Sequence, residues 1–294
     1  MIAKKLTQFL SRGLAIACLA PLVSLPLSAE ARQTNAVTGK MIGQLEEGRQ
    51  IVGVSIKNAQ NQPLGRIEDA VVDLESGRIL YTIAAINGLP DRVALPAESF
   101  TVQGAGAAKS HILNVDRAKL NTAPKFSFVK ESQLGNVSFA SEVYRFLGTP
   151  AWWEGANAGQ AQAAASFNNV HKLTALFDKP VKDVSNADLG KISDVIVDLH
   201  VARIPFVVLT KRQGGEFAIP PNAFTLSADK QNLTTGIDQS TLNSAPKFAK
   251  GNLQALANRA TATAIYRHFG KQPYFGEGLT PTGQETNTYI YPGK

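Results

Sequence analysis

PLGRIEDAVVDLESGRILYTI, residues 63–83, decides the reading of the fold, because the chain writes it twice. DLGKISDVIVDLHVARIPFVV, residues 188–208, repeats it in register. The first copy sets Glu68, Asp69, Asp73 and Glu75 between Arg66 and Arg78, which raises the question of acid/base or hard-metal chemistry. The second copy acts as a control. Glu68 becomes Ser193 and Glu75 becomes His200, while Asp69/Asp194, Asp73/Asp198 and Arg78/Arg203 persist. Two aspartates four apart on one strand share a face but stand about 13 Å apart, too far to share a metal or a proton unless a bulge brings them together. Asp73 and Asp198 lead into hairpin turns, where aspartate bonds to nearby amides, and Arg78 and Arg203 on the returning strand are placed to pair with them. These four residues are read as a structural hairpin.

The repetition runs well beyond this stretch. VALPAESFTV (93–102) matches FAIPPNAFTL (217–226), NVDRAKLNTAPKF (114–126) matches GIDQSTLNSAPKF (236–248), and ASEVYRFLG (140–148) matches ATAIYRHFG (262–270). Each copy closes on proline and paired aromatics, Pro150 before Trp152-Trp153 and Pro273 before Tyr274-Phe275. The expected organisation is a repeat over 50–154 and a second over 173–277. A small-residue linker at 155–172 separates them, an N-terminal extension covers 32–49 and a tail covers 278–294. The linker implies independent modules unless an interface fixes them.

Within a repeat the signals are short strands: IVGVSIKN, GRIEDAVVDL, GRILYTIAAI, RVALP, SFTVQ and HILNVD, bounded by Asn-, Gly- and Pro-containing turns. This predicts a mainly β fold of two tandem small barrels or sandwiches, closure removing exposed edges. GRILYTIAAI is apolar on both faces, so a further element must cover its outside. EVYRFLG is the expected cover, a short helix started by Ser141 and ended by Gly148 and Pro150; IYRHFG is its counterpart. DRAKL reads as one turn capped by Asp116. The 198–204 turn is expected to differ from its partner, since His200-Val201-Ala202 lacks the glycine found at Gly77. Pro205 just beyond points to an edge or a bulge.

The pattern Leu64, Gly65, Ile67, Asp69, Val72, Asp73, Leu74, Arg78, Ile79, Pro96 resembles the PRC-barrel family. It recurs as Leu189, Gly190, Ile192, Asp194, Val197, Asp198, Leu199, Arg203, Ile204, Pro220. The resemblance implies a small β-barrel that serves as a docking module without a catalytic centre.

The N-terminus reads as a secretory signal peptide over 1–31. A basic leader with Lys4, Lys5 and Arg12 precedes an apolar stretch broken by proline, and Ala29-Glu30-Ala31 suits cleavage. The expected compartment is the periplasm; a lipid anchor at Cys18 is the alternative. Cys18 is the only cysteine of the 294 residues, so a chain cut after Ala31 has no disulfide and no thiolate chemistry. The formal net charge of +7 permits attraction to anionic surfaces but is not the dense basic stripe of a nucleic-acid binder.

His111, His171, His200 and His268 have no partner at ligand spacing, and no serine elbow or phosphate loop appears; Gln103-Gly104-Ala105-Gly106 links strands rather than opening a helix. No catalytic, cofactor or metal residue is expected. The aromatic closures support two readings, packing over the barrel and contact with a partner. Tyr144, Arg145, Trp152, Trp153, Tyr266, Arg267, Tyr274 and Phe275 are the candidate contact residues. The expected function is an exported, non-catalytic adaptor for a protein partner. Peripheral binding to anionic envelope surfaces is the alternative, and an enzyme or metal protein using Asp73, Asp198 and a histidine is a third reading.

Overall fold

Strand propensity and turn chemistry are translated here into one large mixed sheet. The computed structural model describes residues 41–104, 109–126, 134–153, 167, 169–227 and 231–275. The expected signal peptide, Cys18, the tail and most of the linker lie outside the described residues. The first repeat contains β2 (Ser55–Lys57), β3 (Pro63–Asp73), β4 (Arg78–Ile86), β5 (Arg92–Leu95), β6 (Phe100–Gln103), β7 (Ser110–Leu113) and β8 (Lys125–Phe126). The second contains β10 (Pro180–Asp183), β11 (Asp188–Asp198), β12 (Arg203–Thr210), β13 (Glu216–Ile219), β14 (Phe224–Leu226) and β15 (Leu233–Thr235). The chain is mainly β, as its sequence predicts.

The pairing repeats with the sequence. β3 pairs antiparallel with β2 and β4, and β2 pairs in parallel with β7; β11, β10, β12 and β15 do the same. Among the described residues the main strand order, β14-β15-β10-β11-β12-β4-β3-β2-β7-β6, is an open path running through both repeats. It passes from one repeat to the other where β12 meets β4. The same buried core, from Ile56 and Leu113 to Phe206 and Leu233, extends through both halves. That interface fixes the repeats to one another.

The segments before each repeat cross over. β1 (Glu46–Glu47) pairs with β11 of the second repeat, and β9 (Val170–Lys172) pairs with β3 of the first. The helical turns that follow, α1 (Gly48–Ile51) and α4 (Leu173–Leu176), lie on the same borrowed strands. Two expectations are therefore corrected. The extension at 32–49 is ordered over its described end, and the linker at 155–172 becomes strand at Val170. Both segments carry too few apolar residues to signal a strand alone, and they are held by an edge that only the other repeat supplies. IVGVSIKN is likewise not one strand: Ile51 ends α1, and β2 begins at Ser55.

Close approach explains the repeated glycine. A Cβ on Gly65 would stand 2.0 Å from the Ala85 carbonyl oxygen, and one on Gly190, at φ +134°, 2.2 Å from that of Thr210. β3 and β4 slip register at Glu68 and at Leu80, β11 and β12 at Ser193 and Pro205, so Pro205 sits in a bulge that needs no ladder donor. The 198–204 turn does not differ from its partner. Ala202 adopts the left-handed φ of 48° where Gly77 has 63°, so the two turns that flank the Arg78–Arg203 pairing share a backbone shape.

The cover over β4 is α3 (Val137–Leu147), whose Ala140, Val143 and Tyr144 pack on Leu80, Ile83 and Ala94. It starts earlier than its sequence signal. Asn136 caps it by accepting from Phe139 N, and Gly148 closes it at φ 70°. Ser141 instead lies inside the helix and accepts from Trp153 Nε1 at 3.2 Å. Its counterpart α7 (Arg259–His268), which follows the short α6 (Leu253–Ala257), is capped by Asn258. Of the two turns after β7 and β15, α2 (Arg117–Leu120) has no side-chain bond from Asp116, whereas Asp238 caps α5 (Gln239–Ser244) through Thr241 N. Among the described residues no helix is long and apolar enough to cross a membrane.

Candidate functional site

The two hairpin tips meet at Arg78 and Arg203, paired in antiparallel register. Ile79 N donates to the Ala202 carbonyl and Ile204 N to the Gly77 carbonyl, both at 2.9 Å. Each arginine then reaches the aromatic closure of its own repeat. The Arg78 guanidinium lies 4.6 Å from the Trp152 ring centroid, and that of Arg203 lies 4.7 Å from the Tyr274 centroid. A cation over a ring face is attracted by the ring quadrupole, the more so where water is excluded. Behind these rings the aromatics stack edge to face: Trp152 on Trp153 at 5.1 Å and Tyr274 on Phe275 at 5.0 Å. Trp153 in turn meets Tyr144 at 4.9 Å, and Phe275 meets Tyr266 at 5.5 Å.

Burial separates the candidate contact residues into three kinds. Tyr144 and Tyr266 are buried and cannot themselves touch a partner; the helices α3 and α7 turn them inward onto the sheet. Trp152, Trp153, Tyr274 and Phe275 are half-buried, and Arg145 and Arg267 are exposed. Burial pushes both tyrosine hydroxyls well above the ordinary tyrosine range, so they serve as donors. Tyr266 Oη donates to the Pro205 carbonyl at 2.8 Å, and Tyr144 Oη to Glu98 at 3.2 Å. Glu98 breaks the internal symmetry, since Asn222 stands at the matching position. Burial raises the Glu98 pKa, opposed by Tyr144 and by the charges of Arg78 and Arg203.

The aspartates of the repeated stretch act on backbone. Asp69 Oδ1 accepts from Thr174 N at 3.1 Å and its Oδ2 from Thr174 Oγ1 at 2.6 Å, which holds α4 on β3. Asp194 Oδ1 accepts from Arg49 N at 3.1 Å and so holds α1 on β11. Each therefore secures the segment that crosses from the other repeat. Burial raises the pKa of both. Asp73 Oδ2 accepts from Ser76 N at 3.0 Å within its turn. Asp198 accepts from His200 N at 3.1 Å and also from Gln44 N at 2.8 Å. Asp73 stands opposite Arg78 and Asp198 opposite Arg203 in strand register. Among the described residues no group of three or more His, Cys, Asp and Glu is placed to hold a metal.

One buried polar cluster had no signal in the sequence. Glu46, on β1, meets His111 Nε2 on β7 at 3.1 Å and pairs with Lys109. Burial opposes ionisation of Glu46, but the contacts from His111 and Lys109 outweigh it and hold its pKa below the ordinary glutamate value. The three come from positions 46, 109 and 111, and only the crossing of β1 brings them together. His171 Nε2 bonds Asn169 Oδ1 at 2.9 Å, and His268 Nε2 bonds the Thr241 carbonyl at 2.9 Å. No family model matches the chain, and no curated protein matches its sequence.

Proposed function

We propose that the chain is an exported, periplasmic, non-catalytic docking protein built from two PRC-barrel-like halves, which engages a protein partner at its aromatic closures. The observation that carries this reading is the pair of half-buried aromatic clusters, Trp152-Trp153 and Tyr274-Phe275. Each is backed by a buried tyrosine and clamped by an arginine from the junction. Rigid, partly exposed aromatics beside arginine are the residues that carry most binding energy at interfaces. The repeated six-strand pairing and the repeated sequence pattern support the barrel-like halves; no cofactor is required.

Photo-crosslinking from position 153 or 275 in native envelope extract tests it. One reproducible partner is expected from both positions, and none when the crosslinker is moved to exposed Thr101. Absence of any reproducible adduct sinks the reading. A second reading, peripheral association with an anionic envelope surface, is favoured by the formal net charge of +7.

A further inference from the structure

The chain holds one Asn-Gly pair, Asn87-Gly88, in the turn between β4 and β5. Leu89 N donates to the Ile86 carbonyl at 3.0 Å and closes the turn. Gly88 takes φ +79° and Asn87 stays outside the left-handed region, which makes this a type II turn with Asn87 ψ at about +120°. Both residues are exposed, and among the described residues neither the Asn87 side chain nor the Gly88 amide nitrogen makes a hydrogen bond. The Asn87 main-chain carbonyl is held instead by the guanidinium of Arg117, on α2. That guanidinium also lies over Gly88, since a Cβ there would stand 2.6 Å from Arg117 Nη2. The matching turn of the second repeat, closed by Gly214 N on the Lys211 carbonyl at 3.0 Å, carries Arg212-Gln213 in place of the pair.

We propose that Asn87 is a site of spontaneous deamidation, with Arg117 as the residue that sets its rate. The Gly88 amide nitrogen gives up its proton to hydroxide and attacks Asn87 Cγ. The Cγ–Nδ2 bond then breaks and ammonia leaves, which closes a five-membered imide. Water opens the imide at either of its carbonyls and leaves aspartate or an isoaspartyl linkage at position 87; nothing is oxidised or reduced. Glycine favours the attack because no side chain crowds the nitrogen. Ring closure needs Asn87 Cβ and Gly88 N on the same side of the Cα–C bond, and a type II turn holds them apart. The peptide must therefore rotate first, and the rotation carries the Asn87 carbonyl away from Arg117. Breaking that charge-assisted bond is part of the barrier. The product adds a negative charge to this turn, with no counterpart at the matching turn of the second repeat.

The test is incubation of the folded full chain in mildly alkaline buffer, followed by mass analysis of the tryptic peptide 79–92 and isoaspartyl methyltransferase labelling. Conversion of Asn87 is expected ahead of Asn243, an exposed asparagine followed by serine, and faster than in mildly acidic buffer. R117Q, which places the second repeat's Gln239 at the matching position, is expected to speed conversion roughly fivefold, the factor for losing one exposed hydrogen bond to a charged group. A thermal melt matching wild type establishes that the variant is folded. In urea the two chains are expected to convert at one rate, because the unfolded turn has no Arg117 contact to break. Asn87 intact when Asn243 has converted, equal rates for folded wild type and R117Q, or a faster R117Q in urea as well overturns the inference.

Discussion

Arg78 and Arg203 face each other across the junction of the repeats, and each turns its guanidinium onto a ring of its own closure, Trp152 at 4.6 Å and Tyr274 at 4.7 Å. The strand junction and the aromatic closures are thereby one mechanical unit. A double-mutant cycle on Arg203 and Tyr274, each to alanine, is expected to return a coupling of about 1 kcal/mol in urea unfolding. Strict additivity would mean that the stack contributes nothing.

Ala202 holds a left-handed φ of 48° without being glycine. Replacing it with glycine removes a steric penalty of about 1–2 kcal/mol, offset partly by the greater freedom of the unfolded chain. The expected outcome for Ala202→Gly is a higher urea midpoint at unchanged slope. A lower midpoint would show that the Ala202 methyl, which is buried in the core, matters more than the backbone.

Gly65 and Gly190 lie against opposing carbonyls too closely for any Cβ. Gly65→Ala and Gly190→Ala are each expected to cost about 2–3 kcal/mol, because the strand pair must spread to relieve the overlap. Gly53, at φ +86° with open space around it, is the control: its alanine variant carries backbone strain but no overlap. If Gly53→Ala costs as much as Gly65→Ala, close approach is not the reason for the repeated glycine.

Thr174→Val removes the 2.6 Å bond to buried Asp69 while keeping the side chain's shape. The expected loss is about 2 kcal/mol, with faster amide exchange across residues 170–176 than elsewhere. Uniform exchange along the chain would show that the crossing segment does not open on its own.

Asp198 is buried, and loss of water pushes its pKa up to about 6 despite bonds from the Gln44, His200 and Val201 amides; Glu46 adds to the rise. The ordinary value is 3.8. A carboxyl whose folded pKa is raised favours the folded state when protonated, so its contribution falls as pH rises from about 4 to about 6 and stays low above. Wild type compared with Asp198→Asn isolates this from the other acids. The difference in unfolding free energy is expected to shift by on the order of 3 kcal/mol across that window in favour of the asparagine form. A difference independent of pH would sink the assignment.

Much of the local structure was written in short-range chemistry. Alternating and doubly apolar runs located β3, β4, β11 and β12, and the demand of GRILYTIAAI for a second cover located α3. Helix ends were legible at Gly148 and Gly270, which take φ of 70° and 64°. Helix starts were not, because Asn136 and Asn258 precede residues with little apolar periodicity. Of the contact residues, the aromatic pairs were legible, but a tyrosine has the same letter whether its ring faces the core or the solvent, so the burial of Tyr144 and Tyr266 was not.

The larger arrangement lay beyond reach of any local signal. Internal repetition establishes that two alike units exist, and side-chain alternation establishes which face of each strand is buried. Backbone amides and carbonyls are the same at every residue, so nothing in a strand's letters names the edge that will complete it. The packing of the whole chain therefore chose that β1 would join β11, that β9 would join β3, and that the tips at Arg78 and Arg203 would meet. Glu46, Lys109 and His111 became neighbours, and the repeats became one sheet, for that reason alone.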